Sequence, residues 1–86
     1  MATNIVMPDT VLKRLNDLPK EVRIKFWEQL ERLTANPSYQ GLRNEKLKGT
    51  DAWAFSITMN YRATYVRSKI GIIITAVGTY KEVLGD

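Results

Sequence analysis

The sequence predicts a small α+β domain in which an N-terminal helical hairpin packs on one face of a small antiparallel β-sheet. Two observations point there. Apolar residues recur at helical spacing up to about residue 35 and then at alternate positions from Trp53 onward. Short turn-like segments separate the alternating runs, so neighbouring strands should pair as a meander. With 86 residues the chain has room for one domain, spanning 1–86, which can bury roughly 60–65% of its unfolded surface.

A short strand is expected at Ile5–Met7. The first helix should start at Pro8-Asp9-Thr10, with Asp9 or Thr10 as its cap, and carries Val11, Leu12, Leu15 and Leu18 at helical spacing. Pro19 ends it and suits the first turn of the next helix. There Val22, Phe26, Leu30 and Leu33 form one stripe. Lys20, Glu21, Lys25, Glu28, Glu31 and Arg32 form a solvated face, with Glu21–Lys25 and Glu28–Arg32 as i,i+4 pairs. Asn36-Pro37 stops the helix. Ser38 to Asp51 reads as a polar loop with a short strand or turn around Leu42 to Leu47.

The period then changes to two. Trp53, Phe55, Ile57 and Met59 alternate with Ala54, Ser56 and Thr58; Met59-Asn60 makes a turn; Tyr61, Ala63 and Tyr65 alternate with Arg62, Thr64 and Val66. Ser68-Lys69 makes a second turn, and Ile70 to Val77 a third strand. The helices should cover Trp53, Phe55, Ile57, Ala63, Tyr65, Ile72, Ile74 and Ala76. The opposite face, with Ser56, Thr58, Arg62, Thr64 and Thr75, should be wet and available for function.

The chain has no cysteine and no histidine, which excludes disulfides, thiolate nucleophiles, His-based metal sites and imidazole acid–base chemistry. No metal or other cofactor is expected. Met1 to Pro8 lacks a basic run followed by an apolar stretch, so no signal peptide is read there. The apolar run Ile70–Val77 is too short to span a bilayer, and the reading is cytoplasmic. The net charge of +4 is unevenly spread: Arg43, Lys46, Lys48, Arg62, Arg67 and Lys69 stand against only Glu45 and Asp51 in the loop and sheet, while the first 40 residues are nearly balanced. A basic loop and sheet suit an anionic partner.

From Asn36 to Tyr80 the chain resembles the RelE/ParE toxin superfamily. The likeness is carried by Asn36-Pro37, Gly41-Leu42-Arg43, Glu45-Lys46-Leu47-Lys48-Gly49, Trp53, Tyr61-Arg62 with Tyr65, and Gly78 after an apolar strand; the helical hairpin with Leu18-Pro19 at its turn matches as well. The Glu-x-Leu-x-Gly loop, the strand tryptophan and the Tyr-Arg-x-x-Tyr strand bring it closer to the ribosome-dependent RelE and YoeB-like branch than to the gyrase-directed ParE branch.

The resemblance implies a toxin that cleaves mRNA in the ribosomal A site, without metal, by attack of the substrate's own ribose 2′-hydroxyl. It also implies a cognate antitoxin that blocks the basic groove. Such cleavage needs a base, charge stabilisation at phosphorus and an acid for the leaving 5′-oxygen. Arg62 is the candidate for the phosphate, because a guanidinium can fork onto two phosphate oxygens. The resemblance makes Glu45 the candidate base, flanked by Lys46 and Lys48, either of which could share the role. Tyr80 is the candidate acid or base-stacking residue, standing where YoeB-like members carry a histidine. A phenol is a poorer proton carrier at neutral pH than an imidazole, but it can stack on an unpaired base. Arg43, Arg67, Lys69 and Lys81 read as phosphate contacts. A non-catalytic binder on the same fold, either a ParE-type gyrase inhibitor or a degenerate toxin that only binds its antitoxin, is the other reading.

Overall fold

A computed structural model describes residues 4–85; the part of the Met1 to Pro8 reading that concerns residues 1–3 lies outside them. A short strand β1 (Ile5–Val6) leads into helices α1 (Asp9–Asn16) and α2 (Lys20–Ala35). A 3-10 turn (Gln40–Leu42), strands β2 (Glu45–Lys46), β3 (Ala52–Ser56), β4 (Tyr61–Ser68) and β5 (Gly71–Thr79), and a last helix α3 (Tyr80–Leu84) follow. The strands lie in the order β1-β5-β4-β3-β2. All neighbours run antiparallel except β1, which pairs parallel with β5 through Ile5–Ile72 and Val6–Ile73. The sheet is therefore mixed at one edge, a departure from a pure meander. Among the described residues no helix is long and apolar enough to cross a membrane.

Local chemistry explains the helix ends. Pro8 occupies the position before α1, so Asp9 lies inside the first turn, and neither Asp9 nor Thr10 acts as a side-chain cap. The Asp9 carboxylate still sits near the positive end of the helix dipole. Arg23 of α2 turns back and donates Nη1 to the carbonyls of Asn16 and Leu18, which satisfies acceptors that the end of α1 leaves open. The ion pairs on α2 also differ from expectation. Lys25 pairs with Glu28 at 3.6 Å, and Arg32 turns instead to Gln29 and the Tyr39 ring.

The core lies between the helices and one face of the sheet. Leu15, Phe26, Leu33, Leu42, Phe55, Ile57, Tyr65 and Ile74 are fully buried there. Trp53 is half-buried, with its ring stacked on Tyr65. The Tyr65 hydroxyl, which apolar burial would penalise if left alone, donates to Asn44 Oδ1 at 2.7 Å.

One expected core residue is on the wrong side. Thr64 pairs with Ala76, but its neighbour Tyr65 pairs with Ile74, so Thr75 is an extra residue in β5. This bulge shifts the alternation by one. Ala76 shares the open face with Thr64, and Val77, paired with Ala63, takes the core position. The other boundaries move slightly: β3 ends at Ser56 and β5 starts at Gly71. The anticipated polar face is also less wet than expected at its centre. Ser56 is 7% and Thr64 6% exposed, because both are short side chains on inner strands with partners nearby. Ser56 donates to the Thr58 carbonyl, and the Thr64 and Thr75 hydroxyls lie 2.7 Å apart.

Candidate functional site

Arg62 lies on the sheet face opposite the helices, in the cross-strand row Ser56–Arg62–Gly78. Its Nη1 donates to the carbonyls of Thr58, Met59 and Tyr61, all in or beside the turn between β3 and β4. The Tyr80 backbone N–H donates to another carbonyl of that turn, Asn60, at 2.8 Å. The turn is thereby held from two sides, and Arg62 is fixed by one edge of its guanidinium. Among the described residues Nη2 and Nε of Arg62 have no hydrogen-bond partner, so the other edge remains a fork for an anion. The guanidinium carbon stands 5.3 Å from the centre of the Tyr80 ring, a cation–π arrangement that steadies both groups.

Tyr80 is positioned by α3, which the sequence reading left undescribed. The signal was present as Thr79-x-x-Glu82, a capping box. The Thr79 hydroxyl accepts from the Glu82 N–H, and the Glu82 carboxylate accepts from the Thr79 N–H. Both Glu82 oxygens also accept from Arg14 Nη2, at 2.6 and 2.7 Å, tying α3 to α1. The backbone N–H of Thr79 above all, then its hydroxyl and Arg14, hold the Glu82 carboxyl below the ordinary carboxylate range. The helix can come this close because residue 78 is glycine: a Cβ there would stand 3.1 Å from Glu82 Oε1 and 3.4 Å from Val83 Cγ2.

The other candidate residues divide between the faces. Glu45 pairs with Ala54, which pairs with Thr64, so Glu45 is on the Arg62 face. It is two strands and one row away, about 12 Å between Cα atoms by standard sheet spacings. Lys46 pairs with Trp53 and belongs to the helix side. Lys48 sits in the exposed turn between β2 and β3. Arg67 also belongs to the helix side, with its guanidinium over the Trp53 and Tyr65 rings at 5.3 and 5.7 Å. Lys69 is in the β4–β5 turn, seven residues along from Arg62 or about 23 Å. Lys81 is exposed on α3 beside Tyr80. Arg43, at the end of the 3-10 turn, lines a cleft that reaches Thr58 and Met59.

The structure thus brings Arg62 and Tyr80 together, with Lys81 next to Tyr80 on α3 and Glu45 on the same face at longer range, while Arg43 lines the cleft beside α2. It separates Lys46 and Arg67 from them by the thickness of the sheet, and Lys48 and Lys69 by position at its turns. Strand parity alone carried this information once the β2–β3 register was known. Two residues that sequence reading did not place are the buried Gln29, which ties α2 to Gly41 and Ser56, and Glu82. What remains on the open face can grip a phosphate, stack an aromatic ring and present one carboxylate.

No family model and no curated protein matches the sequence. Solved structures do. The toxin RelE of E. coli in the free state superposes with a TM-score of 0.74 at 21% identity, covering 95% of this chain and 87% of that one. The archaeal RelE–RelB complex from Pyrococcus horikoshii matches at 0.74 and 26% identity, covering 92% and 96%. The YoeB–YefM complex from Staphylococcus aureus matches at 0.71 and 22%, covering 90% and 95%. The chain therefore shares the fold of these RelE and YoeB toxin structures.

Proposed function

We propose that the chain is the toxin of a type II toxin–antitoxin pair, acting as a ribosome-dependent mRNA endonuclease in the cytoplasm. The fold neighbours include toxins solved with their antitoxins, RelB and YefM, which supports a cognate antitoxin as partner. The observation that carries the RNA reading is the half-anchored Arg62 on the sheet face opposite α1 and α2. One guanidinium edge is spent on the turn, and the other is free to meet a phosphate.

The chemistry follows from this arrangement. The ribose 2′-oxygen attacks phosphorus and the P–O5′ bond breaks, leaving a 2′,3′-cyclic phosphate and a 5′-hydroxyl. Arg62 stabilises the extra negative charge on the phosphoryl oxygens as the 2′-oxygen arrives. Glu45 takes the 2′-hydroxyl proton, and Tyr80 stacks on a neighbouring base or passes a proton to the departing 5′-oxygen. No metal enters the scheme. Lys81 and Arg43 add backbone contacts, with Lys46, Lys48, Arg67 and Lys69 as more distant ones from the turns and the other face.

The test is translation of a defined mRNA with purified protein, followed by primer extension. Cuts at A-site codons that vanish with Arg62→Ala support the proposal. Arrested translation with intact mRNA, or linearised plasmid when gyrase is added, supports the second reading of a non-catalytic binder or ParE-type gyrase inhibitor. The feature that favours that second reading is chemical: the chain has no imidazole, and Glu45 is exposed and a full strand removed from the Arg62 column.

A further inference from the structure

Beside the Arg62 face lies a second basic feature. A cleft of about 340 Å³ opens between α2, the 3-10 turn and the β3–β4 turn. Lys25, Arg32 and Arg43 line it, with Gln29, Thr58 and Met59 beneath, and no carboxylate among the described residues lines it. Its walls are built, not incidental. Gln29 is 3% exposed and donates to the carbonyls of Gly41 at 3.1 Å and Ser56 at 2.8 Å, joining all three walls. Its Oε1 accepts from Arg32 Nη1 at 3.0 Å. The Arg32 guanidinium also stands 5.1 Å from the Tyr39 ring centre. That ring lies where a Cβ on residue 41 would be, 2.5 Å from its Cε2, so only glycine at position 41 allows it.

The rim adds a separate sign. Arg43 has φ 50°, the left-handed region, where a residue with a Cβ is strained. Three cations converging on one polar cleft repel one another unless an anion sits among them. Lys25 has Glu28 at 3.6 Å, but that pair is solvent-exposed and weak.

We infer that this cleft holds a second phosphate of the RNA strand whose first phosphate meets Arg62. The inference rests on the RNA-directed reading above. The two anion positions share one turn: Thr58 and Met59 floor the cleft, and their carbonyls anchor Arg62. An RNA strand carries a charge at every nucleotide, so a strand crossing the turn places phosphates on both sides of it. An acidic peptide would need carboxylates spaced to match both positions.

The test uses fluorescence anisotropy with a labelled single-stranded 2′-O-methyl RNA decamer, which binds but cannot be cleaved. Arg43→Gly removes a cation and relieves the left-handed strain, so its melting temperature holds or rises. It should weaken binding about tenfold or more, the loss of one charge-assisted contact. It should also reduce the salt slope by about 0.7, one phosphate contact on a single strand. Lys25→Gln should do the same, and the double variant should lose both contributions. Wild-type binding that Arg43→Gly and Lys25→Gln both leave intact overturns the inference while leaving the Arg62 reading in place. A loss seen only with a polyglutamate peptide overturns it in favour of a protein partner. Absence of any RNA binding by the wild-type chain overturns both.

Discussion

On the helix side of the sheet, Phe55, Tyr65 and Ile74 fill the space under α1 and α2 and are closed to solvent. On the other side the same strands carry Ala54, Ser56, Thr64 and Ala76, short side chains that leave a shallow floor with Arg62 and Tyr80 standing at its end. The first face has traded polarity for volume. The second keeps volume low so that a few polar groups can stand above it. With the proposed function, the difference teaches that stability and chemistry would occupy opposite parities of the same strands. Truncation on one face should cost folding free energy, and truncation on the other should cost activity.

The comparison can be broken most directly at Phe55. Phe55→Ala should cost about 3–5 kcal/mol, against a total of roughly 4–13 kcal/mol for a domain of this length. The urea midpoint should fall steeply, and a small shift would mean that the helix side is not the core. The counterpart is Arg62→Lys. It keeps a charge but loses the planar fork, so the proposed mRNA cleavage should drop at least about tenfold while the unfolding free energy from urea titration moves by about 1 kcal/mol or less. Equal losses of stability and activity would erase the distinction between faces.

Gln29 lies between the two cases, a polar side chain on the helix side that supports the cleft. Gln29→Leu leaves the Gly41 and Ser56 carbonyls without a donor and should cost about 1–3 kcal/mol, read by chemical denaturation. The smallest effect belongs to Glu82. Its carboxyl is held below the ordinary range, so the folded state favours the ionised form. That contribution is present above the unfolded carboxylate pKa and is lost as pH falls through the folded one. Melting curves of wild type and Glu82→Gln should differ at neutral pH and converge in acid. A constant gap would remove the carboxylate from the docking of α3.

Much of this was legible because periodicity reports burial directly. The stripe Val22, Phe26, Leu30, Leu33 marks α2, and the alternation through Tyr61, Ala63 and Tyr65 puts Arg62 on the open face without any coordinates. The resemblance motifs pointed to the same fold as the solved structures. What stayed hidden was short or non-local. Strands β1 and β2 have two residues each, too few for a period. The β2–β3 register decides that Glu45 and Lys46 part company, and register depends on pairing across a turn rather than on either segment. Arg32 looks like a solvated charge in the sequence because its partner Tyr39 lies beyond the helix end. Helix α3 carries its capping box in four residues, but its five residues leave no room for an apolar stripe that would mark it.

The bulge at Thr75 has a consequence for how this chain can change over time. It acts as a spacer between two halves of β5 that are out of phase. Thr75 is the unpaired residue of the β4–β5 ladder, so deleting it would close the bulge and leave Ile74 against Tyr65, Ala76 against Thr64, Val77 against Ala63 and Gly78 against Arg62. Drift in this strand can therefore include the loss of that one residue without moving Gly78, the gap into which Glu82 and Val83 settle, or the tyrosine that faces Arg62.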